Sequence, residues 1–587
     1  MGIQKIEHLH PMQFTRFKTP QVTIGTVTIG AEHPIALQSM TNTDTNDIRA
    51  SVEQCIRIFD AGAQYVRLTA QGIKEAESLR VIKEQLRARG YNQPLVADIH
   101  FNPQAALVAA RYVEKVRINP GNYCTIASMA KIEYSDEEYE QELQKIKENI
   151  LPLLEVCKAH NTAIRIGVNH GSLSQRIVGR YGDTPLGMAM SMMEFLHVCK
   201  EAQFSSVVCS IKASNTRIMV YATRLLAQLM REQDCAFPIH LGVTEAGAGE
   251  DGRIKSAVGI GALLLDGIGD TIRVSLTEAP EREIPVCTQI VNHTNTITKA
   301  LVEKAMNYVG DYQHVFSYEK YQSNCVAGIG GNALPTVVSR HENCGADWIL
   351  TETHLHNEKT KLPCMTVEQY VHFDKENPCV LRMNAHHIEI LTDIKLHPNT
   401  IILFEYSGLQ VCNGVRKFYA RMKNLDLHNP VILLINYGKR DFEQLQIQAA
   451  IDCGTMFIDG LCDGLMINAP ANSQKLVELS FAILQASRSR FSKTEYISCP
   501  SCGRTLFDIE KALAEVKTHT AHFQGLKIAV MGCVVNGPGE MADADFGYVG
   551  AGRGQVNLYH KQTLVHKNIP ESEAVGVLLE MVQELMN

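Results

Sequence analysis

The run Pro94-Leu95-Val96-Ala97-Asp98-Ile99-His100-Phe101 is apolar where it begins and polar where it ends, and the next such run, Lys115-Val116-Arg117-Ile118-Asn119, repeats the pattern. Six further short apolar runs flank them: Ile35–Thr41, Gln64–Thr69, Ala163–Asn169, Ser206–Ser214, Ile239–Glu245 and Thr271–Thr277. They recur at intervals of roughly 30 to 45 residues and alternate with amphipathic segments of helical period, the signature of βα units. Ile48–Ala61, Asp136–Cys157, Leu186–Ala202 and Thr216–Glu232 are such segments. Eight parallel strands with helices outside predict a TIM (β/α)8 barrel, an α/β fold of about 250 residues.

The whole chain has 587 residues, enough for several domains, with 45% apolar and 20% charged residues, an ordinary globular composition. A net charge of −7 argues against a nucleic-acid surface. The 17 cysteines are odd in number and stand mostly singly in apolar stretches, as reduced cysteines do. No apolar run approaches the roughly 20 residues of a membrane span. Met1-Gly2-Ile3-Gln4-Lys5 opens no signal or transit pattern, so a cytoplasmic location is expected.

In a TIM barrel the chemistry sits at the carboxyl ends of the strands. Those ends carry Gln38 and Asn42, Arg67, Asp98 and His100, Arg117 and Asn119, Arg165 and Asn169, Lys212, Glu245, and Arg273 with Ser275. Four Arg, one Lys and one His converging on one pocket would repel one another and depress Lys212 and His100 unless a polyanion bound among them. Arginine forks match phosphate oxygens, so a small substrate with a diphosphate or two phosphates is expected. Read one at a time, each Arg is more commonly solvated or salt-bridged, and Asp98, Glu245, Asp266 and Asp270 are available partners. Lys212 also fits a Schiff-base lysine of an aldolase.

The last hundred residues carry Ser498-Cys499-Pro500-Ser501-Cys502-Gly503, and then a strand, Lys527–Met531, running into Gly532-Cys533-Val534-Val535-Asn536-Gly537-Pro538-Gly539-Glu540. Three thiolates with no fourth Cys suit a 4Fe-4S cluster that keeps one iron for a weaker ligand. Glu540, in the same Gly/Pro loop as Cys533, is the candidate. His519 and His522 could instead complete a zinc set, and on spacing alone zinc stays open. A thioredoxin-type motif fits less well, because Gly503 and a third Cys follow.

The segment Gly532–Glu540, together with Gln38-Ser39-Met40-Thr41-Asn42-Thr43-Asp44-Thr45, Ala97–Phe101, Arg117–Asn122 and Arg165–Asn169, resembles the family of 4-hydroxy-3-methylbut-2-enyl diphosphate synthases, over roughly residues 12 to 285 and 485 to 560. The resemblance implies an iron-sulfur enzyme of the methylerythritol phosphate route to isoprenoids. It further implies a TIM-barrel substrate domain and a smaller α/β domain similar to a sulfite-reductase module. Its cluster ligands would be Cys499, Cys502, Cys533 and Glu540. Its substrate would be 2-C-methyl-D-erythritol 2,4-cyclodiphosphate, held by Arg67, His100, Arg117, Asn119, Arg165, Asn169, Lys212, Arg273 and Ser275. Glu245 and Asp98 would manage protons, and flavodoxin or ferredoxin would donate two electrons. Short members pair barrel and cluster across a homodimer. Two other readings compete: a zinc-stabilised phosphosugar aldolase or isomerase using Lys212, and an iron-sulfur electron carrier with no enzymatic activity.

The resemblance also implies a long form with a barrel-like insert, and gives three domains at 1–290, 291–480 and 481–587. Within the insert Cys379–Met383, Thr400–Phe404, Val431–Ile435 and Gly454–Ile458 read as strands and Asp441–Ala450 as a helix, again an α/β pattern. His354, His356, His386, His387, Cys453 and Cys462 lack tight ligand spacing and read as polar or core residues.

Overall fold

The computed structural model describes residues 16–123, 133–303, 319–374, 376–534 and 537–586. They form two compact units, one of residues 16–256, 268–288 and 493–587, the other of residues 257–267 and 289–492. Among the described residues no helix is long and apolar enough to cross a membrane.

The expected first barrel is present. Its strands are β1 (Ala36–Met40), β2 (Tyr65–Ala70), β3 (Leu95–Ile99), β4 (Lys115–Ile118), β5 (Ala163–Asn169), β6 (Val207–Lys212), β7 (His240–Leu241) and β8 (Thr271–Ile272). All neighbours pair in parallel in the order β6-β5-β4-β3-β2-β1-β8-β7, and a Cys209–Ile239 bridge between β6 and the residue before β7 brings the ring round. β7 and β8 are far shorter than the runs 239–245 and 271–277 suggest. After β7 the backbone leaves the sheet, and Glu245 takes a left-handed φ of +47°.

A hairpin, Val22–Ile24 with Val27–Ile29, closes the amino end of this barrel. Val22, Ile24 and Ile29 form one buried cluster with Ala36, Tyr65, Val96, Ala163 and Val208 from the strand starts. The floor is thus sealed by apolar packing, whose burial stabilises by roughly 25 cal/mol per Å². Successive strand residues point to opposite faces, so the inward set that begins with Tyr65, Val96, Ala163 and Val208 continues upward as Arg67, Asp98, Arg165 and Ser210. Lys115, paired with Val96 and Ala163 in the lower row and stacked over the Tyr65 ring at 3.8 Å, is the charged residue of the floor; two residues further up the row is mostly charged.

The central segment forms a closed barrel of its own: β9 (Thr336–Ser339), β10 (Trp348–Leu350), β11 (His354–His356), β12 (Lys361–Met365), β13 (Cys379–Asn384), β14 (Thr400–Ser407), β15 (Val431–Asn436) and β16 (Gly464–Asn468). β11 pairs antiparallel with both β10 and β12, and the rest pair in parallel. Trp348, Leu355, Leu362, Val380, Leu403, Ile432 and Met466 fill its core. One strand expectation fails: Gly454–Ile458 is the end of the helix Phe442–Ile458, and the fourth strand of that series is β16. Every residue from Ala449 to Ile458 is buried, so the helix shows no polar face there and its apolar run mimics a strand.

In this unit Arg416 is held by Asp266 (NH1–Oδ1 3.0 Å) and Asp459 (NH2–Oδ2 2.8 Å), with all three side chains at most 2% exposed. Arg416→Met would strand two buried carboxylates, and breaking such a buried pair costs about 3–5 kcal/mol. Chemical denaturation should show that loss; a change under about 1 kcal/mol would mean that the carboxylates find other partners.

The C-terminal segment is a five-stranded sheet in sequence order: β17 (Glu495–Ser498), β18 (Lys527–Met531), β19 (Phe546–Gly552), β20 (Gln555–His560) and β21 (Thr563–Pro570). The first three strands are parallel and the last two antiparallel. The helices Ile509–Thr520 and Glu571–Met586 cover the sheet, with Leu513, Val516, Leu578 and Val582 in its main core. The loops after β17 and β18 carry the three motif cysteines.

Candidate active site

One pocket in the first unit is lined by Arg67, Asp98, His100, Arg117, Arg165, Asn169, Lys212, Glu245, Arg273 and Ser275 of the barrel, and by Cys499, Cys502, Cys533 and Glu540 of the C-terminal segment. It encloses about 680 Å³ not filled by atoms, part of it open to solvent. Asn119 is not among the lining residues. Its Nδ2 donates to Ser172 Oγ at 3.0 Å and its Oδ1 accepts from Gly121 N at 3.1 Å, so it fixes the turn after β4. Met40, Thr244, Arg504 and Met531 line the pocket beyond those anticipated.

The barrel cations fall into two sets. Arg117 donates to Asp98 Oδ1 (3.2 Å) and to the Gly167 carbonyl (3.1 Å), and Arg273 makes two bonds to Glu283 (3.0 and 2.9 Å). Those two are neutralised within the protein. Arg67 donates to Met40 Sδ at 3.0 and 2.8 Å, a weak acceptor that balances no charge. Arg165 is 1% exposed, and its Nε and NH1 have no hydrogen-bond partner. Burial first, then Arg67 and Arg117, pulls Arg165 below the usual guanidinium range. Lys212 is pulled well below the lysine range by burial, then Arg165, Arg67 and Arg273, with Glu245 opposing. Gly242 makes room for it: a Cβ there would lie 2.6 Å from Lys212 Nζ and 2.7 Å from the Arg273 carbonyl oxygen. Buried guanidinium groups without acceptors are costly, and only an anion in the pocket offsets that cost.

Asp98 has a different task. Burial would raise its carboxyl, but Arg67, Arg117 and His100 hold it well below the usual range, and its Oδ2 lies 3.2 Å from His100 Nε2. His100 is pushed down to about 3 by burial and by the Arg504 charge, which outweigh Asp98. At neutral pH it is an uncharged imidazole whose orientation Asp98 fixes.

The loop after β5 meets the Cys533 loop closely enough that a Cβ on Gly171 would lie 2.1 Å from the Gly539 carbonyl oxygen, and one on Gly539 2.6 Å from that of Gly171. That approach seats Glu540, whose Oε1 accepts from Asn169 Nδ2 at 2.8 Å. Glu540 also hydrogen-bonds Glu245, and burial plus this neighbour raises its carboxyl well above the usual range. Burial raises Glu245 too. On the other side, Thr277 Oγ1 lies 2.6 Å from Ser498 Oγ, and Ala246 bridges Ser498 in parallel. The C-terminal sheet is thereby tied to the barrel just before Cys499.

Cys499, Cys502 and Cys533 are each partly exposed, and Gly532 N donates to Cys499 Sγ at 3.2 Å. Three sulfurs and one carboxyl spread around a pocket suit a cluster that takes each ligand on a separate iron. Among the described residues no group of three or more His, Cys, Asp or Glu is arranged for a single metal ion. His519 and His522 do not line the pocket, and the His522 ring packs on Phe523 with centroids 4.0 Å apart. The structure therefore does not assemble the Cys-Cys-His-His set that zinc would need.

Two family models match the chain: the GcpE TIM-barrel domain over residues 19–288 and the GcpE protein C-terminal domain over residues 495–584. A protein of Bacteroides thetaiotaomicron named 4-hydroxy-3-methylbut-2-en-1-yl diphosphate synthase (flavodoxin) is 47% identical, over 97% of this chain and 98% of its own. Proteins of the same name from Porphyromonas gingivalis (44%, over 97% and 98%) and Akkermansia muciniphila (41%, over 98% and 97%) match equally widely. Coverage of that extent means that these relatives carry the central segment as well.

Proposed function

The chain belongs to the GcpE family of 4-hydroxy-3-methylbut-2-en-1-yl diphosphate synthases, oxidoreductases of isoprenoid biosynthesis, and from that premise we propose that its barrel binds 2-C-methyl-D-erythritol 2,4-cyclodiphosphate. It opens the ring by two-electron reduction, releasing water and (E)-4-hydroxy-3-methylbut-2-enyl diphosphate. The observation that carries this reading is the excess of buried barrel cations over the carboxylates among them, with Arg165 Nε and NH1 left without hydrogen-bond partners, facing a three-cysteine, one-glutamate wall across a single pocket.

Cys499, Cys502, Cys533 and Glu540 would hold a 4Fe-4S cluster, which when bound supplies the electrons and a Lewis-acidic iron. A carboxylate is a harder and more readily displaced iron ligand than a thiolate, so Glu540 is the one placed to yield. Flavodoxin is the donor in the names of the relatives; ferredoxin is the second choice.

The chain's own residues do the rest. Arg67, Arg165 and Lys212 take the diphosphate oxygens and stabilise the negative charge on the phosphate oxygen freed as the ring opens. Asp98 is fully engaged, so it orients Arg117 and His100 and is not itself a proton carrier. Neutral His100 offers a ring nitrogen to a phosphate or hydroxyl oxygen. Glu245, a buried carboxyl that lines the pocket at a left-handed backbone position, is the group placed to pass a proton to the departing hydroxyl. The C-terminal wall keeps bulk water from the reacting carbons.

The test is anaerobic turnover. Iron- and sulfide-containing protein should convert the cyclic diphosphate with a chemical reductant or reduced flavodoxin. Zinc-containing colourless protein would sink the cluster, and a redox-active protein that leaves the substrate unchanged would leave only a carrier. Borohydride with phosphosugars should trap nothing on Lys212, because no carbonyl substrate is involved.

A further inference from the structure

Arg504 enters the pocket from the C-terminal segment and stands beside Asp98 of the barrel. It lies two residues beyond Cys502 in the loop after β17 and lines the same cavity. Its side chain is 9% exposed, and its Nε and NH1 have no hydrogen-bond partner. The nearest carboxylate oxygen, Asp98 Oδ2, is 3.8 Å away and is already engaged by His100. The turn presenting it is fixed locally. Cys502 N donates to Thr505 Oγ1 at 3.0 Å, Ser501 Oγ bonds the same hydroxyl at 3.0 Å, and Thr505 N donates to the Cys502 carbonyl at 2.9 Å. A turn fixed in this way holds a buried guanidinium whose Nε and NH1 make no hydrogen bond and whose nearest carboxylate stands beyond hydrogen-bond distance, an arrangement that costs stability unless an acceptor binds there. Its planar fork suits two oxygens of one phosphate group.

We propose that Arg504 is a diphosphate ligand contributed by the C-terminal segment, so that the substrate anion bridges the barrel cations and the cysteine-bearing loop. The inference rests on the anion reading of the barrel given above. It makes anion affinity depend on how that loop is seated, because the same turn carries both Cys502 and Arg504. A competing role is electrostatic: Arg504 also sits near the thiols of Cys502 and Cys533. In that case it would tune the redox behaviour of whatever those thiols hold without touching substrate.

The experiment compares reconstituted wild-type protein with R504Q, R504K and R67Q, using inorganic pyrophosphate as an unreactive probe in calorimetry, alongside iron and sulfide content and midpoint potential. R504Q should lose pyrophosphate affinity by at least about tenfold, the value of one charge-assisted hydrogen bond. It should keep iron and sulfide at wild-type levels, and R504K should recover part of the affinity. If R504Q binds like wild type while R67Q is weakened, the role given to Arg504 is wrong and the barrel anion site stands. If neither variant is weakened, the anion site itself is wrong. Loss of iron and sulfide in both R504Q and R504K, or a shifted potential with unchanged affinity, would overturn the ligand role in favour of a structural or electrostatic one.

Discussion

Cys533→Ala should leave a folded protein without iron or sulfide, whereas Glu540→Ala should keep part of both and lose at least about a hundredfold in turnover, the scale of removing a group that acts at the reacting centre. The two side chains stand only seven positions apart, Cys533 just after β18 and Glu540 at the end of the short helix Gly537–Glu540, yet they differ in kind. A thiolate is a soft, tight ligand whose removal takes a corner from the cluster. The Glu540 carboxyl is held by Asn169 and Glu245 as well, so its place does not depend on iron alone. Iron and sulfide analysis beside steady-state turnover separates the cases. A fully active Glu540→Ala would end its role as ligand, and a Cys533→Ala protein with full iron content would move the third thiolate elsewhere.

Arg165→Met should act in opposite directions on stability and activity. Removing a buried guanidinium that lacks acceptors at Nε and NH1, and replacing it with a flexible apolar chain, should stabilise the substrate-free protein by about 1–2 kcal/mol and raise its melting temperature by a few degrees. If Arg165 holds the diphosphate as proposed, the same change removes its charge-assisted bonds to that group and should lower kcat/KM by about a hundredfold or more. Arg416→Met is the matched control, since that arginine has two carboxylate partners and its loss should destabilise. If Arg165→Met lowers the melting temperature as Arg416→Met does, the barrel cation is satisfied in the free protein and the stability argument fails.

How much of this could be read beforehand depends on distance along the chain. The alternation of a strand is local, so Arg67, Asp98, Arg117, Arg165 and Lys212 were legible as one inward set as soon as the eight runs were recognised. The C-x-x-C and the Gly/Pro stretch are local too, and their cysteines and Glu540 line the same pocket as the barrel set. What was not legible is pairing across the fold. That Arg273 is neutralised by Glu283, from the start of the helix after the barrel, follows from tertiary packing, as does the diversion of Asn119 to Ser172. Arg504 carried a signal, two places after Cys502, but a lone arginine in a loop reads as solvated until its burial is known. In the insert, β9 to β12 escaped notice because they are three to five residues long and interrupted by polar residues, and β16 because the buried helix before it looked more like a strand.

Among the described residues the apolar hairpin seals the amino end of the first barrel, which leaves the carboxyl end as the way in. Reactant, product and the departing water all pass the rim on which the C-terminal loops rest, so there is no through-traffic. Each cycle must empty before it can refill. Product and reactant carry the same diphosphate handle, so they compete for one doorway as well as one cradle. Inhibition by product should therefore be competitive at every substrate concentration, and release should slow with solvent viscosity once chemistry is fast.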